Sequence, residues 1–169
     1  MKYSVGDTVV YGTQGVCSVK EISPLAFGGV SKDYYVLCPI GDRRSKIYVP
    51  CDNESLTSQM RALLTPDEIR EIISASEKNK TEWIVSDSER KEYCAAVIKN
   101  GDRTELMSMV AMLYLRQEDL KNQKKHFHVS DERFLREGVR LLHEEFAFSL
   151  GISVSEVPSF IESVLEGAV

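Results

Sequence analysis

The chain has 169 residues, which fits one or two domains, and its hydrophobic and charged fractions of 43% and 28% are those of an ordinary globular protein. Its net charge of -5 argues against a protein that nucleic acid holds by bulk electrostatic attraction, because such domains are usually basic. Every apolar run is shorter than the roughly 18 residues of a membrane helix, and the N-terminal stretch MKYSVGDTVVYGTQG lacks the apolar core of a signal peptide, so we expect a cytoplasmic protein with no membrane partner.

The first third of the chain has the pattern of short strands separated by turns. Residues 7–22 are rich in β-branched and aromatic residues and are interrupted by Gly12 and Gly15, and apolar runs of strand length occupy residues 32–40 and 45–50. Turn residues stand between them at Gly6-Asp7, Gly28-Gly29 and Gly41-Asp42. The strands follow one another too closely for crossover helices. The pattern therefore predicts a small antiparallel barrel or curled sheet over residues 1–64.

From Thr65 onward the pattern becomes helical. Four candidate helix starts carry a capping residue followed three positions later by glutamate: Thr65 with Glu68, Ser86 with Glu89, Asp102 with Glu105, and Ser153 with Glu156. A fifth helix is expected from Ser130, where apolar residues recur on one face, and Gly151 is its expected C-cap. Residues 65–169 are therefore predicted to form a compact bundle of about five helices, which makes the whole chain an α+β protein.

The residue types that commonly act in catalysis or metal binding show no catalytic arrangement in this sequence. The sequence lacks the nucleophile-elbow, zinc-protease and phosphate-loop motifs. Its four cysteines have no CxxC spacing, which favours small buried thiols over a metal or redox site. His126 and His128 lie in the polar segment 118–130, an expected loop, without further metal ligands beside them. We therefore expect a protein that is not an enzyme and uses no metal or cofactor.

Trp83, the only tryptophan, stands between two predicted helices in the segment TEWIVSDSERKEYC. One interpretation is a core aromatic packed between those helices, since tryptophan is highly buried on average. The other is an exposed wedge that enters the minor groove of DNA and partly unstacks a base step. A wedge needs neighbours that hold the phosphates. Arg90, Lys91 and the N–H groups at the adjoining helix start are suited to that role.

A series of segments, in order along nearly the whole chain, resembles the CarD/CdnL family of bacterial transcription regulators. The N-terminal segments are VGDTVVYGTQGVCSV, DYYVL and IYVP, together with the arginine of QMRALL. The later segments are EWIVSDSERKEYCAAVIKNGD around the tryptophan, ELMSMVAMLYLR and LLHEEFAFSLGIS.

The resemblance implies a two-part mode of action. Residues 1–64 would be a Tudor/SH3-like antiparallel β-barrel, one edge of which pairs with a strand of the RNA polymerase β subunit. Residues 65–169 would be an all-helical domain that contacts promoter DNA with little sequence specificity. In the family, the tryptophan of that domain wedges into the minor groove at the upstream edge of the transcription bubble and stabilises the open complex. Tethering to polymerase would let an acidic monomer act through few DNA contacts.

Carried onto this sequence, the resemblance implies two groups of binding residues. The implied DNA-binding residues are Trp83, Arg90, Lys91 and Arg133. The implied polymerase-binding residues are Lys46, Ile47 and Tyr48. The acidic surroundings of Arg133, in SDERF, are expected to weaken its DNA contact. A second interpretation stays open, in which the protein is an interaction adaptor that binds polymerase or another partner without touching DNA.

Overall fold

The computed structural model describes residues 2–167. Within that range the chain divides into two compact units between Leu63 and Leu64. The N-terminal unit is a β-sheet with one short helix, and the C-terminal unit is entirely helical. The predicted α+β class is confirmed, with a five-stranded antiparallel sheet consistent with a Tudor-like domain followed by a bundle of helices.

Five antiparallel strands make up the N-terminal sheet. They are β1 (Thr8–Tyr11), β2 (Val16–Phe27), β3 (Val30–Pro39), β4 (Ile47–Pro50) and β5 (Met60–Arg61). Their spatial order is β4-β3-β2-β1-β5, so β4 and β5 are the two edges of the sheet. A turn through Gly28 and Gly29, both with positive φ, joins β2 to β3, and α1 (Glu54–Thr57) precedes β5.

Strand β2 is an inner strand of the sheet and has a different neighbour on each side. Its first residues pair with β1, and nearly its whole length pairs with β3. The register to β3 shifts between Val19 and Glu21, and such a bulge bends a strand and increases its local twist. A small core lies in this unit, formed by the buried residues Val9, Cys17, Val19, Tyr35, Leu37, Val49 and Met60.

Five α-helices form the C-terminal unit in the part of the chain that the structure describes. They are α2 (Pro66–Lys78), α3 (Asp87–Asn100), α4 (Arg103–Asn122), α5 (Val129–Leu150) and α6 (Val157–Leu165). Three predicted caps are confirmed, since the side chains of Thr65, Ser86 and Asp102 each accept a hydrogen bond from the N–H three residues on. Ser153 also forms its predicted capping box, but it starts a 3-10 turn (Val154–Glu156) that leads into α6.

The polar segment 118–130 is more helical than we predicted. Helix α4 continues to Asn122, and α5 begins at Val129, so only residues 123–128 form a loop. Ion pairs between neighbouring turns support the exposed end of α4 in spite of its polarity, namely Arg116 with Asp119 and Glu118 with Lys121. The cap of α5 is His128 instead of Ser130, because the Nδ1 atom of His128 accepts a hydrogen bond from the Ser130 N–H at 3.3 Å. Its C-cap is Gly151, as predicted.

Helices α4 and α5 approach closely in the core of the helical unit. Met109, Leu113, Leu142 and Phe146 are among its fully buried side chains. Gly138 of α5 makes the approach possible, since a Cβ at that position would lie 2.7 Å from Cγ2 of Val110 on α4. Across residues 2–167, no single helix is long and apolar enough to cross a membrane, and α5 passes that test only together with the segment Val154–Leu165, from which a bend of 104° separates it.

Candidate functional site

Trp83 lies in an extended segment, residues 80–86, between α2 and α3. Its side chain is half-buried and packs against the core of the helical unit. This position is compatible with both interpretations of the residue. The indole rests on the core, as a packing residue does, and it also keeps a solvent-accessible portion, as a wedge requires.

Two arginine side chains lie over the Trp83 ring. The guanidinium carbon of Arg90 is 4.3 Å from the ring centroid, and that of Arg116 on α4 is 5.2 Å from it. Both distances are within the roughly 6 Å at which a cation is attracted to the face of an aromatic ring. Arg116 also pairs with Asp119 at 3.0 Å, and its Nε is buried without a hydrogen-bond partner among the described atoms. Segments before α3 and within α4 thus meet at the tryptophan.

Arg90 is buried, with 2% of the residue exposed. All the N–H groups of its guanidinium bond to other atoms of the protein. Its Nε and Nη2 donate to the two carboxylate oxygens of Asp131 at 2.9 and 2.8 Å. Nη2 also donates to Asp87 at 2.6 Å, and Nη1 donates to the carbonyls of Ile84 at 2.8 Å and Val85 at 3.3 Å. Because an arginine has five N–H donors, none is left for a phosphate. A phosphate contact by Arg90 would therefore require the loss of one of these bonds, and the predicted contact of Arg90 with DNA stays a prediction.

Two carboxylates, those of Asp87 and Asp131, bond to the arginine that lies over the tryptophan ring. Hydrogen bonding from Arg90, reinforced by its charge, holds the pKa of Asp87 below its usual range. The bonds to Asp131 in turn raise the pKa of Arg90. Side-chain caps also occupy N–H groups at the starts of α3 and α5. These two helix starts are therefore less suited to phosphate than the sequence predicted.

Lys91 and Arg133 are exposed, unlike Arg90. Lys91 follows Arg90 on α3, and Arg133 is two residues beyond Asp131 on α5, so the Arg90–Asp131 pair brings their two helix starts together. The guanidinium carbon of Arg133 lies 5.5 Å from the ring centre of its neighbour Phe134. Neither Lys91 nor Arg133 has a salt bridge within the described ranges. Both cations are therefore accessible to an anionic partner.

A basic surface that we did not predict surrounds the loop between α4 and α5. A surface cavity of about 520 Å³ is lined there by Lys121, Lys124, Lys125 and His126, together with Gln117, Glu118 and Phe127. We name these four basic residues the basic loop. Phe127 packs against the helical core and so anchors the loop, and α4, which leads into it, also carries Arg116. The run KNQKKHFH was the available sequence signal, and we interpreted it only as a polar connection.

Strand β4 exposes an unpaired edge of the N-terminal sheet. Ile47 and Tyr48 pair with β3, and β4 has no second neighbour among the described strands. Lys46 is exposed just before the strand, Ile47 is half-buried against the small core, and Tyr48 is 43% exposed. An edge strand offers free N–H and C=O groups to a strand of another chain. The three implied polymerase-binding residues therefore lie together at a site that can accept a strand.

An aromatic cluster flanks this edge. The ring centre of Phe27 lies 5.2 Å from that of Tyr34 and 5.9 Å from that of Tyr48. Phe27 is 55% exposed, and with Val30 and Pro50 it lines a surface cavity of about 390 Å³. Exposed apolar patches of this kind are typical of interaction sites. We did not predict the cluster, because Phe27 precedes the Gly28-Gly29 turn and Tyr48 is 21 positions along the chain.

The thiols and possible metal ligands give no reactive arrangement within residues 2–167. No group of three or more His, Cys, Asp or Glu side chains there is placed to hold a metal ion. Cys17, Cys38 and Cys94 are buried, as predicted, and Cys51 is half-buried. Burial raises the pKa of Cys94 to about 11, so this thiol stays protonated and is a poor nucleophile at neutral pH.

The comparison with known families concerns the N-terminal unit. Residues 3–64 match the family model of the CarD-like/TRCF RID domain. The match includes all five strands and the free edge at β4. It confirms the resemblance over this segment, while Trp83 and the rest of the helical unit lie outside the matched residues.

Proposed function

The N-terminal domain of this chain belongs to the CarD-like/TRCF RID family of RNA polymerase-interacting domains, and from that premise we propose a transcription regulator that stabilises the open promoter complex. The N-terminal sheet binds the polymerase β subunit, and the helical unit contacts promoter DNA. One observation carries the proposal: a lone tryptophan, half-buried beneath two guanidinium groups, is joined in one chain to a polymerase-interacting domain. The protein acts as a monomer in the bacterial cytoplasm and performs no catalysis.

The tether to polymerase uses the edge of β4. A strand of the β subunit pairs with this edge, which supplies main-chain hydrogen bonds, while side chains beside the edge supply specificity. Support comes from the position of Ile47 and Tyr48 on a strand with a single described neighbour. The exposed cations Arg43, Arg44 and Lys46 precede the strand and favour an acidic partner surface.

Trp83 acts as the wedge in the DNA contact. Apolar side chains that enter the minor groove unstack a base step at a cost of a few kcal/mol, so the wedge has to stay in place while it inserts. The half-buried position supports this role, because the core beneath the ring and the two arginines over it keep the indole from moving away.

Exposed cations of the helical unit supply the phosphate contacts. The proposed set is Lys91 and Arg133 together with the basic loop. These contacts act on any sequence, so promoter choice depends on groove width and deformability more than on base identity. Because the chain carries a net charge of -5, its own affinity for DNA is weak and salt-sensitive. Tethering offsets this by raising the effective concentration of the helical unit at the promoter, to the order of millimolar for a short linker.

The second candidate function is an adaptor that binds polymerase and never contacts DNA. The observation in its favour is the acidic character of the helix starts beside Trp83, where Asp87 and Glu89 begin α3 and Asp131 and Glu132 begin α5. Arg90 neutralises part of this charge, and the exposed carboxylates would repel phosphates. In the adaptor, Trp83 is a packing residue only.

The lifetime of open complexes on the cognate polymerase tests the proposal. Wild-type protein should lengthen that lifetime, and Trp83→Ala should abolish the effect while polymerase affinity is unchanged. Tyr114→Ala is the matched control, since it removes an aromatic side chain of the same unit that is 53% exposed and lies outside the proposed site. Equal lifetimes with wild type and Trp83→Ala would reject the wedge. No lengthening by either, with normal polymerase binding, would establish the adaptor.

A further inference from the structure

We propose that Arg90 is the positioning residue of Trp83. In this role Arg90 touches no DNA. It holds the indole in the orientation that insertion requires, through an ion-pair bridge that connects α3 with α5. The consequence at the promoter rests on the proposed function, whereas the bridge itself is a property of the helical unit alone.

The partners of Arg90 fix its guanidinium from three parts of the chain. The carbonyls of Ile84 and Val85 belong to the extended segment, Asp87 belongs to the start of α3, and Asp131 belongs to the start of α5. Since a guanidinium is planar and carries its donors in a rigid fork, five bonds in one plane leave it little freedom to rotate. The indole stacks on this group at 4.3 Å and is oriented by it.

The extended segment depends on Arg90 because it has little regular structure of its own. Residues 80–86 belong to no helix or strand, so helical or sheet hydrogen bonds do not fix the backbone on either side of Trp83. Nη1 of Arg90 supplies two of the missing bonds, to the carbonyls of Ile84 and Val85. Both the ring and the backbone that carries it are therefore held by the same side chain.

Stability alone does not account for the bridge. Replacing a buried ion pair with apolar residues of similar volume is often neutral or stabilising, because the desolvation cost of two charges is large. An apolar pair at positions 90 and 131 would retain the packing and lose the fixed plane under the indole. Arg116, by comparison, lies 5.2 Å from the ring and has a side chain that is 37% exposed, so it is held less firmly than Arg90.

Tryptophan fluorescence of the full-length protein tests the bridge without polymerase. Trp83 is the only tryptophan, so excitation at the red edge of tyrosine absorption reports on it alone. Arg90→Lys keeps the charge but removes the planar fork. We expect a red-shifted emission, lower anisotropy and stronger acrylamide quenching. The matched control is Arg103→Lys, which alters an ion pair of the same unit with the buried carboxylate of Glu145 and should leave the Trp83 signals unchanged.

A second variant covers the case in which Arg90→Lys fails to fold. Arg90→Met combined with Asp131→Leu removes both charges and retains apolar volume. It should fold cooperatively and still give the altered fluorescence. If either variant folds and its emission, anisotropy and quenching match those of wild type, Trp83 does not need Arg90 and the inference is overturned.

The promoter experiment then separates this inference from the proposed function. A folded Arg90 variant should shorten the open-complex lifetime by about two- to tenfold, as the loss of the guanidinium over the ring implies. Polymerase affinity should be unchanged, and Arg103→Lys should be close to wild type. A normal lifetime with Arg90→Lys, alongside a short lifetime with Trp83→Ala, overturns positioning. If Trp83→Ala has no effect either, the wedge fails, and the fluorescence result alone decides whether Arg90 orients the indole.

Discussion

Arg90 and Asp131 form a two-point ion pair inside the helical unit, although 41 positions separate them along the chain. Their side chains are 3% and 2% exposed, so solvent screens the pair little. Asp131 has a second role in the first turn of α5, where an acidic side chain interacts favourably with the positive end of the helix dipole. The pair therefore joins the starts of α3 and α5, and its arginine lies over the tryptophan ring.

Removal of Asp131 should destabilise the helical unit strongly. Asp131→Ala leaves the Arg90 guanidinium buried without its main partner, and breaking a buried pair in this way costs about 3–5 kcal/mol. Urea unfolding followed by circular dichroism measures the loss. Asp87→Ala is the control, because Asp87 also bonds Arg90 but has a side chain that is 61% exposed, so its removal should cost far less. Equal losses for the two variants would contradict the assignment of Asp131 as the main partner.

Local patterns predicted most of the secondary structure. β-Branched and aromatic residues marked the strands, and the capping pairs at Thr65 and Ser86 marked the helix starts, because each of these signals lies within a few neighbouring residues. The end of α4 was missed, since its polar residues have no apolar stripe and are held by ion pairs one turn apart, such as Arg116 with Asp119.

The site was less predictable than the fold, because its geometry depends on distant residues. Nothing near Arg90 in sequence showed that its N–H groups would bond to Asp131, so the sequence did not reveal that this arginine is buried beside Trp83. The cluster of Phe27 with Tyr48 likewise forms only when β3 places the two beside each other. The sequence did not indicate why residue 138 is glycine, because a larger residue there is excluded by the side chain of Val110 on another helix.

Alanine at Gly138 should destabilise the helical unit although alanine is the better helix former. The new Cβ would meet Cγ2 of Val110 at 2.7 Å, and a β-branched side chain cannot easily turn away. The overpacking should lower the free energy of unfolding by about 1–3 kcal/mol. This loss should exceed the gain of about 1 kcal/mol from the higher helix propensity of alanine. Thermal unfolding checks this. Val110→Ala should be less harmful in the Gly138→Ala background than in wild type, and additive effects of the two changes would argue against the clash.

His143 should make the stability of the helical unit depend on pH. Burial lowers the pKa of His143, so the folded state favours the neutral ring. As pH falls through the unfolded value of roughly 6.5, the unfolded chain takes up a proton first, and stability is lost until the pH reaches the lower folded pKa. His143→Gln should reduce this loss. Urea midpoints measured from pH 7.5 down to pH 5 provide the check, and parallel profiles for the two proteins would exclude a contribution from His143.

The aromatic cluster beside β4 should contribute to polymerase binding. Phe27→Ser removes the central ring of the cluster, and loss of an interface anchor commonly weakens binding by about tenfold or more. Folding should be little affected, because Phe27 is 55% exposed. Titration of labelled protein with polymerase gives the affinity. Val5→Ser removes a side chain of similar exposure, 59%, from the same unit and should bind normally. An unchanged affinity for Phe27→Ser would place the tether elsewhere.

The basic loop should set the salt dependence of open-complex stabilisation. Lys124→Gln combined with Lys125→Gln removes two exposed charges, and each lost phosphate contact lowers the slope of log affinity against log salt by about 0.9 on duplex DNA. The lifetime gain conferred by the protein should therefore be smaller at low salt and fall less steeply as salt rises, with polymerase affinity unchanged. Lys20→Gln combined with Lys99→Gln removes the same charge from exposed positions outside the loop. If both double variants shift the salt profile equally, the effect is one of net charge and the loop makes no phosphate contact.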